Sequence, residues 1–446
     1  MSSPIIKVAR DSLPVFSNLM GYTNSWHHDE WYNKISDDSI KNLLLLAPRN
    51  HAKTTCVETS LAWMIGNNRD IRIMLVSNAY SQSALTLRHM KAVMETPIYK
   101  KIFPEIEPLE DWWNREEFTV KRDMPDRNPT AFATGIFGSV LSRRCDIMFL
   151  DDMINREVTD SEAKNIQVRD FYEETLTPCL TPEGRVICTG TRWGFDDFYS
   201  YLMAKESFKN NTYVYKAINY NKETEEEYSL WPNKWPLEQL KAMEKDKGSY
   251  YFAMQYQNEP LDPATAPFKR EWIRIAPMMP SPMKYYMAVD PAATNSPRAD
   301  YTTIIIVGMY QDKMYVVDVF RDKIEFPEQL TRVKEYYAKY KPVNIGVEVV
   351  AYQAALSSYL KKYMLPIKEI RHARMSKEAR IISLTPFIEN GSLLFNKNFP
   401  LLVKELLEYP KSKHDDQVDC LEMCVSMIKK TRFGGGWAST NIRLPI

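Results

Sequence analysis

Continuous apolar segments alternate with helical segments along the first half of the chain. The apolar segments lie at residues 43–48, 71–78, 146–152 and 185–191, and a stretch with helical periodicity follows each one. Strands that are apolar on both faces are typical of parallel sheets covered by helices on both sides. The pattern therefore predicts an α/β domain with a mostly parallel sheet.

The pattern changes after about residue 269. Three strand-like segments follow one another closely at 285–292, 301–310 and 313–322. Connections this short permit an antiparallel meander, whereas a parallel crossover needs a dozen or more residues. Helical segments then alternate with further strands, at 344–350, 366–370 and 392–395. The second half of the chain is therefore predicted to be an α/β domain with a mixed sheet.

The regular alternation stops between residues 221 and 267, where an acidic run and a proline-containing stretch occur. Such a stretch is typical of a peripheral segment followed by a linker. We therefore expect a first domain at 1–260, a linker at 261–280, a second domain at 281–430 and a flexible tail at 431–446.

Composition limits the class of protein. The 446 residues include 58 Lys and Arg against 57 Asp and Glu, and 44% are hydrophobic. These proportions are those of a globular chain, and the net charge of +1 means that DNA binding would require local basic patches. The six cysteines form no CxxC pair, which argues against a zinc site or a disulfide framework. With no signal-peptide core and only short apolar runs, we expect a soluble intracellular protein that does not enter a membrane.

A phosphate-binding loop is predicted between the first apolar strand and the following helix. The segment has the spacing GxxxxGK[ST], with alanine at both glycine positions although the chain has only 14 glycines. Backbone N–H groups at the helix start could face phosphate oxygens, with the lysine on the β and γ oxygens and the threonine on Mg²⁺. The alternative is a surface turn with a solvated lysine. The predicted nucleotide contacts are Ala47, Pro48, Arg49, Asn50, His51, Ala52, Lys53, Thr54 and Thr55.

Two acids end the strand at 146–152, where buried carboxylates need a partner such as a metal-bound nucleotide. We expect Asp151 to hold Mg²⁺ together with Thr54, and Asp152 to orient or deprotonate the attacking water. The alternative is a pair of helix-capping aspartates. The next strand ends in Thr189, Gly190 and Thr191, which could sense the γ-phosphate. Three such strand ends in this order predict an ATPase.

Arginines could complete this site by stabilising charge in the transition state. The candidates are Arg49 in the loop and Arg143 and Arg144 before the acidic strand, acting in cis or from a neighbouring subunit. Arg192 is a weaker candidate. Each could instead be a surface or phosphate-contact residue.

A second group of acids lies in the C-terminal domain. Asp290 ends its first strand, Glu348 lies within an apolar strand, and Asp416 opens the last helix. Carboxylates this close would raise one another's pKa unless cations lie between them. Two Mg²⁺ or Mn²⁺ ions could fill that role and act on a phosphodiester. Further candidate ligands or supporting residues are Asp300, Asp415, Asp419 and His414.

The order of strands and acids in this second domain resembles the ribonuclease H-like nuclease fold. The whole chain, from about residue 26 to 427, resembles the large terminase subunit of tailed bacteriophages. The segments that carry the resemblance are APRNHAKTT, IMFLDD, TGTRW, FAMQYQNEP, AVDPA with ADYT, and KHDDQVD. The resemblance implies an N-terminal P-loop ATPase domain of the ASCE type, in which Thr189 to Thr191 couple hydrolysis to movement. It also implies that Asp290, Glu348 and Asp416 are nuclease metal ligands.

The resemblance further implies the cofactors ATP with Mg²⁺ and two divalent cations. It implies double-stranded DNA, a small terminase subunit and the portal of the prohead as partners, with a pentameric ring on the portal, in the host cytoplasm. This chain departs from the family's usual Glu at Asp152 and from its loop glycines. Two other interpretations remain open: a nuclease-helicase of repair or mobile elements, and a DNA-binding scaffold with degenerate sites. The basic stretch at 368–380 is either a DNA contact or a solvated helix face.

Overall fold

The computed structural model describes residues 4–123, 125–140, 142–159, 161–260, 267–291, 301–348, 359–370, 376–412 and 414–432. The chain divides into two compact units. The first comprises Met1–Glu244 with Tyr251–Leu261, and the second comprises Lys245–Tyr250 with Asp262–Ile446.

The first unit is built around one large sheet. Its strands are β1 (Asn42–Leu46), β2 (Ile73–Ser77), β3 (Pro108–Trp113), β4 (Glu117–Val120), β5 (Ala131–Gly135), β6 (Cys145–Asp151), β7 (Leu180–Gly190) and β8 (Thr212–Val214). Within the described residues these eight strands have the order β3-β4-β5-β2-β6-β7-β1-β8. The neighbouring strands in the part of the sheet with the order β5-β2-β6-β7-β1-β8 are all parallel. The β3–β4 and β4–β5 pairs at the other edge are antiparallel. Strands β9 (Ile218–Asn221) and β10 (Glu226–Ser229) form a separate hairpin.

Helices cover both faces of this sheet. The helices in this part of the chain are α1 (Pro4–Asp11), α2 (Leu13–Leu19), α3 (Trp26–Ser36), α4 (Lys53–Asn67), α5 (Tyr80–Glu95), α6 (Pro97–Ile102), α7 (Arg156–Thr159), α8 (Glu162–Asp170), α9 (Phe198–Ala204), α10 (Leu237–Lys247) and α11 (Ser249–Gln255), of which α10 and α11 pack near β9 instead. Successive residues of β1 enter different cores: Leu43 and Leu45 lie in one, Leu44 and Leu46 in the other. The continuous apolar run thus reflects burial on both faces, as predicted.

The second unit contains a mixed sheet. Its strands are β11 (Lys284–Asp290), β12 (Thr302–Tyr310), β13 (Lys313–Asp322), β14 (Asn344–Glu348), β15 (Ile367–Ile370) and β16 (Leu393–Phe395). In the described part of the chain these six strands have the order β15-β14-β11-β12-β13-β16. The predicted meander β11-β12-β13 is antiparallel, and β14 joins β11 in parallel. This mixed sheet confirms the fold class predicted from the sequence.

The helices of the second unit are α12 (Phe326–Tyr340), α13 (Lys377–Ile382), α14 (Thr385–Glu389), α15 (Pro400–Glu408) and α16 (Asp416–Arg432). Helix α16 packs on the central strands, where the thiols of Cys420 and Cys424 lie 3.7 and 3.4 Å from the carbonyl oxygens of Thr303 and Ile305. None of the helices formed by the described residues has both the length and the apolar character needed to cross a membrane.

Part of the segment expected to be a linker packs into the second unit. Phe268 is buried in its core, and Ile275 forms a parallel bridge with Phe395. Burial of Phe268 and the backbone bridge of Ile275 attach residues 267–276 to the second unit.

Candidate active sites

The strand order of the first unit brings the three predicted motifs to one edge of the sheet. Strand β7 lies between β1 and β6, and the three strands are parallel. Leu46 pairs with Gly190, and Asp151 pairs with Thr189. The phosphate loop, the threonines and the acids therefore meet where the three strands end, which is the usual ligand edge of an α/β sheet.

The phosphate loop adopts a backbone that alanine rarely takes. Asn50 and Ala52 both have φ near 61°, in the left-handed region. Ala52 is the N-cap of α4, so the first N–H groups of this 15-residue helix lack carbonyl partners within the helix. These N–H groups and the positive end of the helix dipole form a suitable environment for phosphate.

Lys53 is held at the centre of the site. Its ammonium lies 3.1 Å from the hydroxyl of Thr191 and 3.2 Å from a carboxylate oxygen of Asp152, and the residue is only 8% exposed. The Thr191 hydroxyl in turn donates to the carbonyl oxygen of Ala47, at 3.0 Å. The lysine is thus positioned by two of the three motifs.

Asp151 is buried beside two threonines. The hydroxyl of Thr189 donates to Asp151 at 2.6 Å, and the hydroxyl of Thr54 also bonds to this carboxylate. Burial, followed by the neighbouring charge of Asp152, raises the pKa of Asp151 to about 6. Thr54 and Asp151, the predicted Mg²⁺ pair, therefore lie side by side with oxygen atoms suited to that ion.

Gly190 fills a position where no side chain fits. A Cβ atom there would lie 2.1 to 2.2 Å from the ring and hydroxyl of Tyr199, a buried residue of α9. The glycine therefore lets β7 end directly against α9. Tyr199 was not identified from the sequence, because its contact depends on the tertiary packing of α9.

A further acid near this site was also missed. Glu58 is buried on α4, and its carboxyl group lies 2.8 Å from Nδ1 of His89. Burial, followed by the charge of Asp151, raises the pKa of Glu58 to about 8. A protonated Glu58 can donate to His89. Its position four residues after Thr54, on the same helix face, is the sequence signal that could have revealed it.

The arginines lie in different places. Arg143 and Arg144 precede the start of β6, whereas Asp151 ends that strand, about 20 Å away at the usual rise per residue. Arg143 pairs with Glu117 at 2.7 Å. Arg143 and Arg144 therefore lie at the opposite end of β6 from the two acids, and a role for either arginine at a nucleotide stays a prediction.

The two other arginines are close to the loop. Arg192 is buried and bonds through its guanidinium to Asp197, which makes it structural. Arg49 is exposed within the phosphate loop, with its guanidinium 5.0 Å from the ring centre of Trp193. Of the predicted arginines, Arg49 is therefore the one placed to reach a nucleotide bound to its own loop.

In the second unit, strand register places Asp290 and Glu348 side by side. Strands β11 and β14 are parallel, and Val289 pairs with Val347. Both acids follow that pair by one residue, at the same edge of the sheet. Burial, followed by the charges of Asp419 and Asp416, raises the pKa of Asp290 to about 8. Burial and then Asp419 also raise the pKa of Glu348.

Helix α16 contributes the remaining acids. Asp416 and Asp419 lie three residues apart, on one helix face, and both influence Asp290. Asp419 raises the pKa of Asp290 more than Asp416 does, although the sequence pattern indicates only a supporting role for Asp419. Asp415 is instead engaged by Lys377, at 2.8 Å. Asp416 and Asp419 are therefore better placed than Asp415 to act with Asp290.

Three cations engage this acidic cluster. Lys377 lies 3.4 Å from Asp419, and Arg321 lies 3.4 Å from Asp416. Arg380 is only 6% exposed and contacts Asp419 at 2.7 Å and Glu422 at 3.1 Å. Lys377 and Arg380 belong to the basic stretch whose role the sequence left open; both contact acids of α16.

The oxygen-only donor set of these acids fits Mg²⁺ or Mn²⁺. In the part of the chain that the structure describes, however, no three or more His, Cys, Asp or Glu side chains converge as a metal site requires. The described aspartates of α16 are engaged by the lysine and the arginines instead. His414 packs edge-on against Tyr301 at 5.3 Å, and Asp300 lies outside the described residues.

Comparisons with known proteins agree with these two units. A family model described as the terminase RNaseH-like domain matches residues 287–428. The large terminase from a thermophilic bacteriophage has a similar fold, with a TM-score of 0.56 and 11% identity, covering 91% of this chain and 99% of that one. No curated protein matches the sequence.

The same thermophilic phage terminase has also been solved with nucleotides. Its complex with ADP gives a TM-score of 0.53 at 11% identity, covering 91% of this chain and 97% of that one. Its complex with ATP-gamma-S gives a TM-score of 0.50 at 13% identity, covering 88% and 95%. At these identities the likeness establishes the fold.

The chain thus combines a phosphate-loop ATPase fold with a ribonuclease H-like fold. The family model of the terminase RNaseH-like domain matches the second unit, and the fold of the chain is similar to that of a phage large terminase. The resemblance to large terminase subunits stated from the sequence is confirmed.

Proposed function

We propose that this protein is the large subunit of a viral DNA-packaging terminase, which uses ATP to translocate double-stranded DNA and a metal-dependent nuclease to cut it. The observation that carries the proposal is the edge formed by β1, β7 and β6. There Lys53 contacts Thr191 and Asp152, beside the pair formed by Thr54 and Asp151. The solved complexes of the thermophilic phage terminase with ADP and ATP-gamma-S support a nucleotide at this edge.

The residues of the first unit have distinct roles in hydrolysis. The loop amides and Lys53 bind the phosphates, and Thr54 and Asp151 hold the Mg²⁺ that accompanies ATP. Asp152 orients the attacking water and can accept its proton. Asp152 forms an ion pair with Lys53 here and is one third exposed, so it is accessible to water. At the end of β7, Thr189 bonds to Asp151 and Thr191 bonds to Lys53.

In the second unit, Asp290, Glu348 and Asp416 would hold two divalent cations, with Asp419 as a further candidate. Such cations, when bound, activate a nucleophile and stabilise the charge on a phosphodiester. Arg380 keeps the carboxylate of Asp419 in place, since it bonds to that carboxylate at 2.7 Å.

The partners follow from this assignment as part of the proposal. We expect a small terminase subunit to select the DNA, and the portal of the prohead to receive a ring of five copies in the host cytoplasm. A ring would also bring Arg143 or Arg144 near the nucleotide of a neighbouring subunit, since in their own chain both lie at the opposite end of β6 from Asp151.

ATP-driven packaging tests the proposal most directly. Purified protein, proheads, DNA and ATP should yield DNA that is protected from added nuclease. Protection should be lost with Lys53→Ala, because removal of a charge-stabilising group lowers hydrolysis about a hundredfold or more. Lys41→Ala is the matched control, since Lys41 is exposed before the start of β1, at the other end of that strand.

Two other outcomes would contradict the proposal. ATP hydrolysis and DNA cleavage without protected DNA would instead support a nuclease-helicase of repair or mobile elements. Hydrolysis by Lys53→Ala at the wild-type rate would show that the nucleotide site lies elsewhere.

A further inference from the structure

The segment FAMQYQNEP, residues 252–260, contacts both loops that surround Lys53. The backbone N–H of Arg49 donates to the carbonyl oxygen of Gln255 at 3.2 Å, and the Arg49 guanidinium donates to its side-chain oxygen at 3.2 Å. The backbone N–H of Arg192 donates to the side-chain oxygen of Asn258 at 3.0 Å. Arg49 belongs to the phosphate loop, and Arg192 directly follows Thr191.

Asn258 is suited to a fixed role. It is only 3% exposed, and its φ of 52° lies in the left-handed region, which asparagine tolerates better than most residues. Its side-chain amide also donates to the carbonyl oxygen of Tyr215 at 2.8 Å, and the N–H of Tyr215 donates to Leu46 at the end of β1. Asn258 thus links the chain after β8 to the chain that follows Thr191.

Gln255 acts on the other loop. The guanidinium of Arg49 contacts Gln255 and also lies 5.0 Å from the ring centre of Trp193. These two contacts, with the backbone bond to Gln255, set the direction of the arginine in the phosphate loop.

Gln257, between these two residues, has a different partner. Its side chain accepts from the N–H of Ile218 and donates to the carbonyl oxygen of Ile218, both at 2.9 Å. This bidentate pair attaches the segment to β9 and touches neither loop. Gln257 is therefore a matched control within the same segment.

We propose that Gln255 and Asn258 are positioning residues for ATP hydrolysis. Gln255 holds Arg49 toward the phosphates, and Asn258 fixes the backbone that presents the Thr191 hydroxyl to Lys53. The inference rests on the ATPase function proposed above. A displacement of about 1 Å at a catalytic group can lower a rate about a hundredfold, so loss of either contact should slow hydrolysis.

The first experiment measures the Asn258 contact without nucleotide. In the full-length chain, Asn258→Gly permits the same backbone angle but removes the acceptor for Arg192, whereas Gln257→Ala leaves that acceptor in place. Hydrogen exchange followed by mass spectrometry should show faster exchange at the Arg192 amide in the Asn258→Gly variant and near wild-type exchange in the Gln257→Ala variant.

The second experiment measures ATP hydrolysis and affinity for ATP-gamma-S in the same variants. Asn258→Gly should lower kcat about tenfold or more while KM changes less than about threefold. Gln255→Ala should lower kcat/KM about tenfold, and Gln255→Glu should restore it, because a carboxylate also accepts from Arg49. Gln257→Ala should leave both constants unchanged.

The outcomes separate this inference from the function on which it rests. If Lys53→Ala loses hydrolysis while Asn258→Gly and Gln255→Ala keep the wild-type kcat and KM, the inference is wrong and the ATPase assignment stands. If the wild-type protein neither binds ATP-gamma-S nor hydrolyses ATP, the proposed function is wrong and this inference with it. An equal loss in Gln257→Ala would indicate a general structural effect and would also overturn the inference.

Discussion

Both candidate sites place acids at the carboxyl ends of parallel strands, but the two sites balance these acids with different cations. In the first unit, Asp151 and Asp152 lie beside Lys53, which is itself a residue of the phosphate loop. In the second unit, the acids of α16 are paired with Arg380 and other cations that belong to no recognised motif. The two sites thus differ in that Lys53 is proposed to bind phosphate, whereas Arg380 and its neighbouring cations hold acids in place.

This difference has an energetic basis. Burial favours the protonated form of a carboxyl group, and the raised pKa of Glu58 in the first unit illustrates this effect. Arg380 opposes that effect in the second unit, where its charge lowers the pKa of Glu422 against the larger effect of burial. Asp419 and Glu422 of α16 therefore depend on a buried arginine that is remote from them in sequence.

Removal of a nuclease acid should give the largest effect. Asp290→Ala should lower plasmid cleavage in Mg²⁺ or Mn²⁺ more than about a hundredfold, because the divalent cations lose a central ligand. ATP hydrolysis should remain at the wild-type level, because the ATPase residues belong to the other unit. Asp312→Ala is the matched control, since Asp312 is exposed in the turn between β12 and β13, at the opposite end of the sheet. Cleavage that persists in Asp290→Ala would place the metal site elsewhere.

Removal of a structural cation should give the next largest effect. Arg380→Met leaves the buried carboxylates of Asp419 and Glu422 without their shared guanidinium, and breaking a buried pair in this way costs about 3–5 kcal/mol. Urea unfolding of the second unit, followed by hydrogen exchange, measures the loss. Lys53→Met should cost less than about 1 kcal/mol, because its partner Asp152 is one third exposed. If both variants lose the same free energy of unfolding, Arg380 and Lys53 do not differ in their structural role.

The pH dependence of the first unit should reveal Glu58. Its pKa of about 8 in the folded protein, against an ordinary value of 4.5, means that the folded state binds more protons between these values. Stability of the first unit should therefore fall as the pH rises toward 8, by more than about 1 kcal/mol, since each unit of pKa shift corresponds to about 1.4 kcal/mol. Thermal unfolding of Glu58→Gln at the same pH values should lack this component. An unchanged pH profile would mean that Glu58 is ionised in the folded protein.

The smallest effect is expected in the phosphate loop itself. Ala52→Gly relieves a left-handed conformation that costs an L-residue about 1–2 kcal/mol, but glycine adds a similar cost in chain entropy. Stability should therefore change by less than about 1 kcal/mol, and ATP hydrolysis should remain near wild type. Gly190→Ala is the opposite case, because its Cβ would overlap Tyr199, and it should lose hydrolysis. A severe loss in Ala52→Gly would contradict the interpretation of the loop.

Much of the fold could be predicted because its central strands are apolar on both faces. The segments that became β1, β2, β6 and β7 could be recognised in this way, and the meander was recognisable from its short connections. The apolar pattern does not reveal β3, β4 and β5. Strand β5 has the sequence AFATG, in which small residues give a weak apolar signal, and β3 is mostly exposed.

A candidate site residue could be predicted from the sequence when it lies at the end of an apolar strand or in the loop that follows one. Lys53, Asp151 and Asp290 are of this kind. Arg380 could not be ranked, because its partners are contributed by α16 and depend on how α13 packs there. Arg143 and Asp151 are close in sequence but lie at opposite ends of the extended strand β6. Their separation in space could therefore not be read from their sequence spacing.

The division of the chain has a consequence for protein engineering. Residues Lys245–Tyr250 belong to the second unit although the first unit resumes after them. Within the second unit, the N–H of Ser249 donates to the carboxylate of Glu389 at 3.0 Å, and Gly248 packs closely against Pro386. Each unit is therefore built from two segments of the chain, and no single cut separates them. A chimera that replaces the nuclease from residue 262 onward must carry a compatible 245–250 segment with it.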